Sequence, residues 1–271
     1  MRIAACQMVS GTSVERNLQS ALTLIRSAAE SGAELVVLPE YFAYLPKWDK
    51  DMLEVAEAYG DGPVQKAMSE AARQFQLWLV AGTIILKADD ESHYIDACLV
   101  YNPNGEVEAR YDKIHLFEFD RGDEHYHEDS YTQAGKTLTT VPIETWEGAW
   151  RVGLSVCFDL RFPELFRRLD SPDIITLPAS FTTTTGRAHW ETLVKARAIE
   201  NQCYVIACAQ GGDHESGRQT WGHSLVIDPW GVTVAELTRG EGVLLADINL
   251  RRIREVRDLL PTVKSKLLAT P

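Results

Sequence analysis

The chain has 271 residues, 45% apolar and 24% charged, which suits a globular protein able to bury a core of its own. A formal net charge of −12 argues against general nucleic-acid binding, which needs a basic surface for phosphate contacts. The apolar runs are of strand length and leave no membrane span, and the start of the chain turns polar by Ser10, unlike a signal peptide. Residues 2–7 read as a short strand. From Val14 to Ser31, Leu18, Ala21, Leu22, Ile25, Ala28 and Ala29 recur at helical spacing, and Gly32 ends that helix. "ELVVLPE" follows as a buried strand closed by Pro39. The unit repeats: "VQKAMSEAARQFQ" is helical and "LWLVAGTIIL" an apolar strand. Further on, "RVGLSVC" reads as a strand, 163–169 as a short helix, "DIITLPAS" as a strand, 187–200 as a long helix and "CYVIACAQ" as a strand.

Two hairpins echo each other. "CLVYNPNGEVEARY" and "SLVIDPWGVTVAEL" each set Asn/Asp-Pro-x-Gly between two strand-like arms, proline presetting φ and glycine accepting the left-handed turn position. The same device in both halves, beside strand–helix–strand units in both, points to an internally duplicated α/β architecture. No linker or low-complexity segment interrupts it, so residues 1–271 read as one domain, with 251–271 as a tail. That tail is amphipathic through Ile253, Val256, Leu259, Leu260 and Val263. The five cysteines, Cys6, Cys98, Cys157, Cys203 and Cys208, are odd in number and scattered; they fit a reducing cytoplasm better than a disulfide framework.

Ligand sites in open α/β sheets collect at the carboxyl ends of strands. Glu40 follows "LVVLP" directly, and Cys157 follows "RVGLSV", with Pro163 suited to the first turn of a helix just beyond. A nearby helix start favours thiolate over thiol. Alone, Glu40 reads as a solvated loop residue and Cys157 as a buried apolar one. Lys113, in "RYDKIHLFEF", reads alone as a surface charge. Together the three make a set for acyl transfer. The carboxylate takes the thiol proton and later activates water, and the ammonium holds the oxyanion with the backbone N–H of Phe158. No metal or cofactor is needed. His125 and His127 read as solvated residues of an acidic loop rather than metal ligands, His223 as structural rather than a base, and Cys203 and Cys208 as core.

The blocks "LPE" at 38–40, "YDKIHLF" at 111–117 and "VCFDLRFPELFR" at 156–167 resemble the nitrilase-like carbon–nitrogen hydrolase superfamily. The resemblance runs through nearly the whole chain, since "LPASFTTTTGRAHWETLVKARAIENQCYVIACAQ" and "WGHSLVIDPWG" match later blocks. It implies a four-layer α-β-β-α sandwich and a Glu–Lys–Cys triad of Glu40, Lys113 and Cys157. It also implies a role for Glu128, set by the seven-residue step to Gly135: bonding Lys113 and orienting the substrate amide. The alternative is an acidic loop residue in a run with Asp123, Glu124 and Asp129. Because such proteins commonly pair through helices and C-terminal tails, a homodimer or higher homo-oligomer using 253–268 is expected.

"CFD" at the cysteine, where true nitrilases have "CWE", argues for amides over nitriles. The wording resembles the branch that cleaves ω-amides of five-carbon 2-oxo diacids. It is closer to the type acting on deaminated glutathione, which releases 2-oxoglutarate and cysteinylglycine, than to the ω-amidases acting on α-ketoglutaramate. Arg187 departs from that type, which has proline there ("TGPAHW"), leaving the pocket rim open. Arg161 either binds a substrate carboxylate or anchors its own turn on Glu164 or Asp159. Thr183, in the "FTTTTG" run at 181–186, either contacts an anion ahead of a helix or belongs to a helix cap. Readings from other classes are a non-catalytic binding scaffold, which would often have lost a triad member, and a redox-sensing thiol, for which no resolving cysteine stands near Cys157.

Overall fold

A computed structural model describes residues 1–122 and 124–262. The first half holds β1 (Arg2–Gln7), α1 (Val14–Glu30), β2 (Leu35–Val37), α2 (Pro63–Phe75), β3 (Trp78–Lys87), β4 (Tyr94–Tyr101) and β5 (Val107–Asp112). A hairpin of β6 (Glu118–Arg121) and β7 (Glu124–His127) follows. The second half holds β8 (Thr140–Thr145), β9 (Gly148–Leu154), α3 (Pro163–Arg168), β10 (Ile174–Ala179), α4 (Thr183–Asn201), β11 (Tyr204–Ala209), β12 (Ser224–Ile227) and β13 (Thr233–Leu237). β14 (Gly242–Asp247) and α5 (Leu250–Leu259) close the described chain.

The duplication expected from the hairpins is visible in the strand path. One sheet runs β14-β1-β2-β3-β4-β5 and the other β8-β9-β10-β11-β12-β13. In the first, β1, β2 and β3 are parallel, β4 and β5 return antiparallel, and β14 lies antiparallel on β1. In the second, β9, β10 and β11 are parallel, β12 and β13 return antiparallel, and β8 lies antiparallel on β9. Only the edge strands differ in origin: β8 precedes the other strands of its sheet, whereas β14 comes after all the strands of both sheets. Neither edge strand nor the β6–β7 hairpin is evident from the sequence reading, which treats the His125–His127 stretch as loop.

The period of two sorts each strand's side chains between layers. From β1, Ala4 and Cys6 join the cluster under α1 and α2, while Ile3 and Ala5 join the cluster between the sheets. That central cluster takes in Val152 and Leu154 of β9, and Trp190, Val194 and Ala198 of α4. The result is the four-layer α-β-β-α sandwich. Cys208 and Cys203 are core, as read; the Cys208 thiol donates across to the carbonyls of Cys6 and Val37, at 3.3 and 3.1 Å.

Several boundaries move for local reasons. α4 begins in the threonine run, four residues before the expected 187, because the Thr182 hydroxyl accepts the Thr185 N–H at 3.3 Å. The strand before Cys157 stops at Leu154, and Cys157 itself opens a 3₁₀ turn through Arg161. Ile253 and Val256 pack onto the body from α5, whereas Leu259 and Leu260 face outward. Val263 and the rest of the expected tail lie outside the described residues.

Candidate active site

Because β5 returns to the direction of β1–β3, the carboxyl ends of β2 and β5 open on one edge, where the second sheet brings the ends of β9 and β10. Glu40 leaves β2 through Pro39, and its carbonyl accepts the Gln210 side-chain amide at 3.0 Å. Gly82 of β3 is required there: a Cβ would come within 2.0 Å of the Pro39 carbonyl oxygen. Lys113 follows β5, and its carbonyl accepts the N–H of Gly135 at 2.8 Å. Cys157 sits just beyond β9 with φ of 45°, in the left-handed region that non-glycine residues rarely occupy.

Asp159 holds that turn. Its buried carboxylate accepts the Val156 N–H at 2.8 Å, the Tyr111 hydroxyl at 2.7 Å and the His115 N–H at 3.1 Å. The Phe158 N–H lies in the first turn of the 3₁₀ segment, where backbone donors have no intrahelical acceptor.

Glu40, Lys113 and Glu128 meet in one buried contact. Lys113 Nζ donates to Glu40 Oε1 at 2.7 Å and to Glu128 Oε1 and Oε2 at 2.7 and 2.8 Å. Glu128 also accepts the Phe117 N–H at 2.6 Å and the Tyr41 hydroxyl at 2.9 Å. Its side chain is therefore built in, not one of a solvated acidic run. Burial works against the Lys113 ammonium, but Glu128 and Glu40 outweigh it and keep it charged well above the ordinary lysine range. Burial, with the Glu40 charge, raises Glu128 despite Lys113. All three line a cavity of about 470 Å³ together with Cys157.

The thiol does not rest as a thiolate, contrary to what the nearby helix start alone implies. Burial pushes the Cys157 pKa well up, and the Glu40 charge and its hydrogen bond push the same way; Lys113 opposes them without winning. The resting pair is a thiol beside a carboxylate, which can pass the proton when substrate arrives.

Two residues were missed or left open by the sequence. Asp96 on β4 is fully buried, its carboxyl oxygens have no hydrogen-bond partner within 3.5 Å among the described residues, and they group with those of Glu40 and Glu128. Burial, then the Glu40 charge, raises its pKa well above the usual carboxylate range. An acid within the otherwise apolar buried strand "YIDACLVY" is the signal that would have found it. Arg161 pairs with neither Glu164 nor Asp159, so the turn-anchoring alternative fails; Asp159 is already engaged elsewhere. Its guanidinium stands 3.2 Å from His189 Nδ1 and over the rings of Phe158 and Phe181. It lines a separate cavity of about 200 Å³ with Cys157, Thr182 and Thr185. Thr183 is not in that cavity; it faces a larger outer one.

His125 and His127 are exposed and both lie on Asp120, at 2.7 and 3.3 Å. His223 pairs with Glu236 at 2.7 Å, stacks on Trp221, and offers its carbonyl to the Trp190 indole. Among the described residues no helix is long and apolar enough to cross a membrane.

A two-sheet sandwich carrying a thiol, two carboxylates and an ammonium at one edge defines a thiol hydrolase class. The chain belongs to the carbon–nitrogen hydrolase family, whose pattern matches residues 2–258. It is 40% identical over 269 residues to a deaminated glutathione amidase of Synechocystis sp., covering 97% of both chains. It is 38% identical to the nitrilase and fragile histidine triad fusion protein NitFhit of Caenorhabditis elegans, covering 96% of this chain and spanning 59% of the fusion protein. The crystal structure of NitFhit superposes with a TM-score of 0.90 at 36% identity, over 99% of this chain and 66% of that one. Nit3 of Saccharomyces cerevisiae, a member of branch 10 of the nitrilase superfamily, superposes at 0.87 with 29% identity, over 99% and 97%.

Proposed function

We propose that this protein is a thiol amidase whose substrate is deaminated glutathione, with Glu40, Lys113 and Cys157 as its catalytic residues and Glu128 as their support. The observation that carries the reading is Lys113 Nζ bridging Glu40 and Glu128 in the cavity that Cys157 also lines. Glu40 takes the thiol proton as sulfur bonds to the amide carbonyl carbon, and the carbonyl electron pair moves onto oxygen. Lys113 and the Phe158 N–H hold that oxyanion. Its collapse breaks the C–N bond, the amine leaves with the proton from Glu40, and a thioester remains on Cys157. Water, deprotonated by Glu40, attacks the thioester; the C–S bond breaks and the sulfur regains its proton from Glu40. Arg161, partly desolvated and facing no carboxylate among the described residues, binds the carboxylate of the 2-oxo acid, with Thr182 and Thr185 beside it.

The substrate choice is supported by the 40% identical relative of that name. An ω-amidase acting on α-ketoglutaramate is the second reading, since its acyl half is the same. Pairing of two copies is part of the proposal, on the outward Leu259 and Leu260 of α5. So is a reducing cytoplasm, on five buried free thiols. The test is parallel turnover of deaminated glutathione and α-ketoglutaramate, following 2-oxoglutarate, with intact-protein mass spectrometry for the thioester. An acyl adduct on Cys157 and its loss in Cys157→Ala are expected. A Cys157→Ala protein with undiminished turnover would end the proposal.

A further inference from the structure

Two cavities flank Cys157, and they differ in which groups reach them. The small one holds Arg161 and does not touch Glu40. The other is lined by Glu40, Lys113 and Glu128, and it shares Asp49, Tyr126, Arg218 and Gln219 with an outer vestibule of about 1300 Å³. The leaving nitrogen must take its proton from Glu40, so it has to point into the cavity that Glu40 lines. The acyl half then turns toward Arg161, and whatever the nitrogen carries is directed out toward the vestibule.

The vestibule's charges are unequal in availability. Arg218 is committed: it donates to Asp49 and to the Lys47 carbonyl, and lies over the Tyr126 ring at 5.8 Å. Those bonds clamp the segment at 47–49 against the 213–219 loop and form the rim. Glu124 accepts the Thr184 hydroxyl at 2.8 Å on the other side. Among the described residues lining the vestibule, Lys47 is the cation without a carboxylate partner: its ammonium lies over the Trp48 ring at 4.9 Å, with no carboxylate within ion-pair distance.

We infer that this vestibule is a leaving-group subsite, and that Lys47 makes the protein select amides whose amine half ends in a carboxylate, as a short peptide with a free C-terminus does. The inference rests on the thioester reading above. A dipeptide extends about 7 Å from the scissile nitrogen, and the inner cavity opens into the vestibule through the Asp49, Tyr126, Arg218 and Gln219 that both share. Thr183, which lines the vestibule, then stands beside the peptide half and not beside the 2-oxo acid. Arg218 and Asp49 are positioning residues for the rim.

The test compares three substrates on wild type, Lys47→Ala and Lys47→Glu: deaminated glutathione, the same compound with a C-terminal carboxamide, and α-ketoglutaramate, whose leaving group is ammonia. Lys47→Ala lowers the ratio of kcat/KM for deaminated glutathione over α-ketoglutaramate about fivefold, mainly through KM, as loss of a partly exposed ion pair does. Lys47→Glu lowers it further, and the carboxamide is indifferent to both changes. The readout is a ratio within one preparation, so incompletely folded protein cancels. A ratio that holds, or a carboxamide that loses as much as the acid, overturns the inference while the amidase reading stands. Wild type that turns over α-ketoglutaramate alone does the same. Wild type that hydrolyses none of the three overturns the amidase reading itself, and the inference with it.

Discussion

Replacing Glu128 by glutamine tests whether the second carboxylate holds the site together. The change is nearly isosteric, but the Tyr41 hydroxyl bonds one carboxylate oxygen and the Phe117 N–H the other, so the single amide oxygen keeps one of these donors and the amide nitrogen faces the other. Glutamine cannot keep both contacts to Lys113, at 2.7 and 2.8 Å. Breaking a buried ion pair from one side costs about 3–5 kcal/mol, and the one retained acceptor role does not bring the expected loss below that range. Lys113 is then neutralised by Glu40 alone, which draws that carboxylate toward the ammonium and away from the thiol. If about 3 kcal/mol of this appears in the barrier, kcat falls on the order of a hundredfold. Glu128 lies behind Lys113 and does not face the Arg161 cavity, so KM should change much less than kcat. Steady-state kinetics with either 2-oxo amide and a urea unfolding curve supply both numbers. A folded Glu128→Gln protein with kcat within about threefold of wild type would refute the reasoning, since the second charge on Lys113 would then be dispensable.

Asp96→Asn should stabilise the protein at neutral pH. A carboxyl raised in the folded state binds protons that the unfolded chain has released, so wild-type stability declines by up to about 1.4 kcal/mol per pH unit above the unfolded carboxylate range near 4, until the folded pKa is passed. Burial and the Glu40 charge, which raise Asp96, give the folded chain this extra proton uptake. The advantage of the asparagine variant should therefore be larger at pH 7.5 than at pH ~4.5 in paired urea titrations; an equal gap at both would mean that Asp96 ionises freely. Asp159→Ala strands the Val156 N–H and the Tyr111 hydroxyl without their acceptor. At about 1–3 kcal/mol for each of the two buried orphans, it should lower Tm by roughly 4–12 °C and take activity with it. A variant that melts with wild type would show that Asp159 does not hold the nucleophile turn.

Much of this molecule is legible in its residues. Apolar spacing finds α1, α2 and the parallel strands of both halves, because each element's buried face repeats at its own period. The paired Asn/Asp-Pro-x-Gly turns reveal the duplication that the two sheets then repeat strand for strand. Edge strands β8 and β14 escape such reading because pairing on only one side demands no long apolar run. The start of α4 is misjudged because four threonines resemble a loop until one of them caps the helix.

The sequence by itself determined the chemistry: an acid, an ammonium and a thiol, each directly after a strand-like run, whatever their distance along the chain. Only the tertiary structure decided that Glu128 shares Lys113 with Glu40, that Asp96 sits unpaired beside them, and that Arg161 and Lys47 serve different cavities. Contacts of this kind join residues 15 to 73 positions apart. Local propensity acts over a turn or two, so such meetings exist only after the sheets have packed and excluded water. The same burial reverses the local expectation at Cys157: a helix start favours the thiolate, but desolvation is the larger effect and raises the thiol pKa.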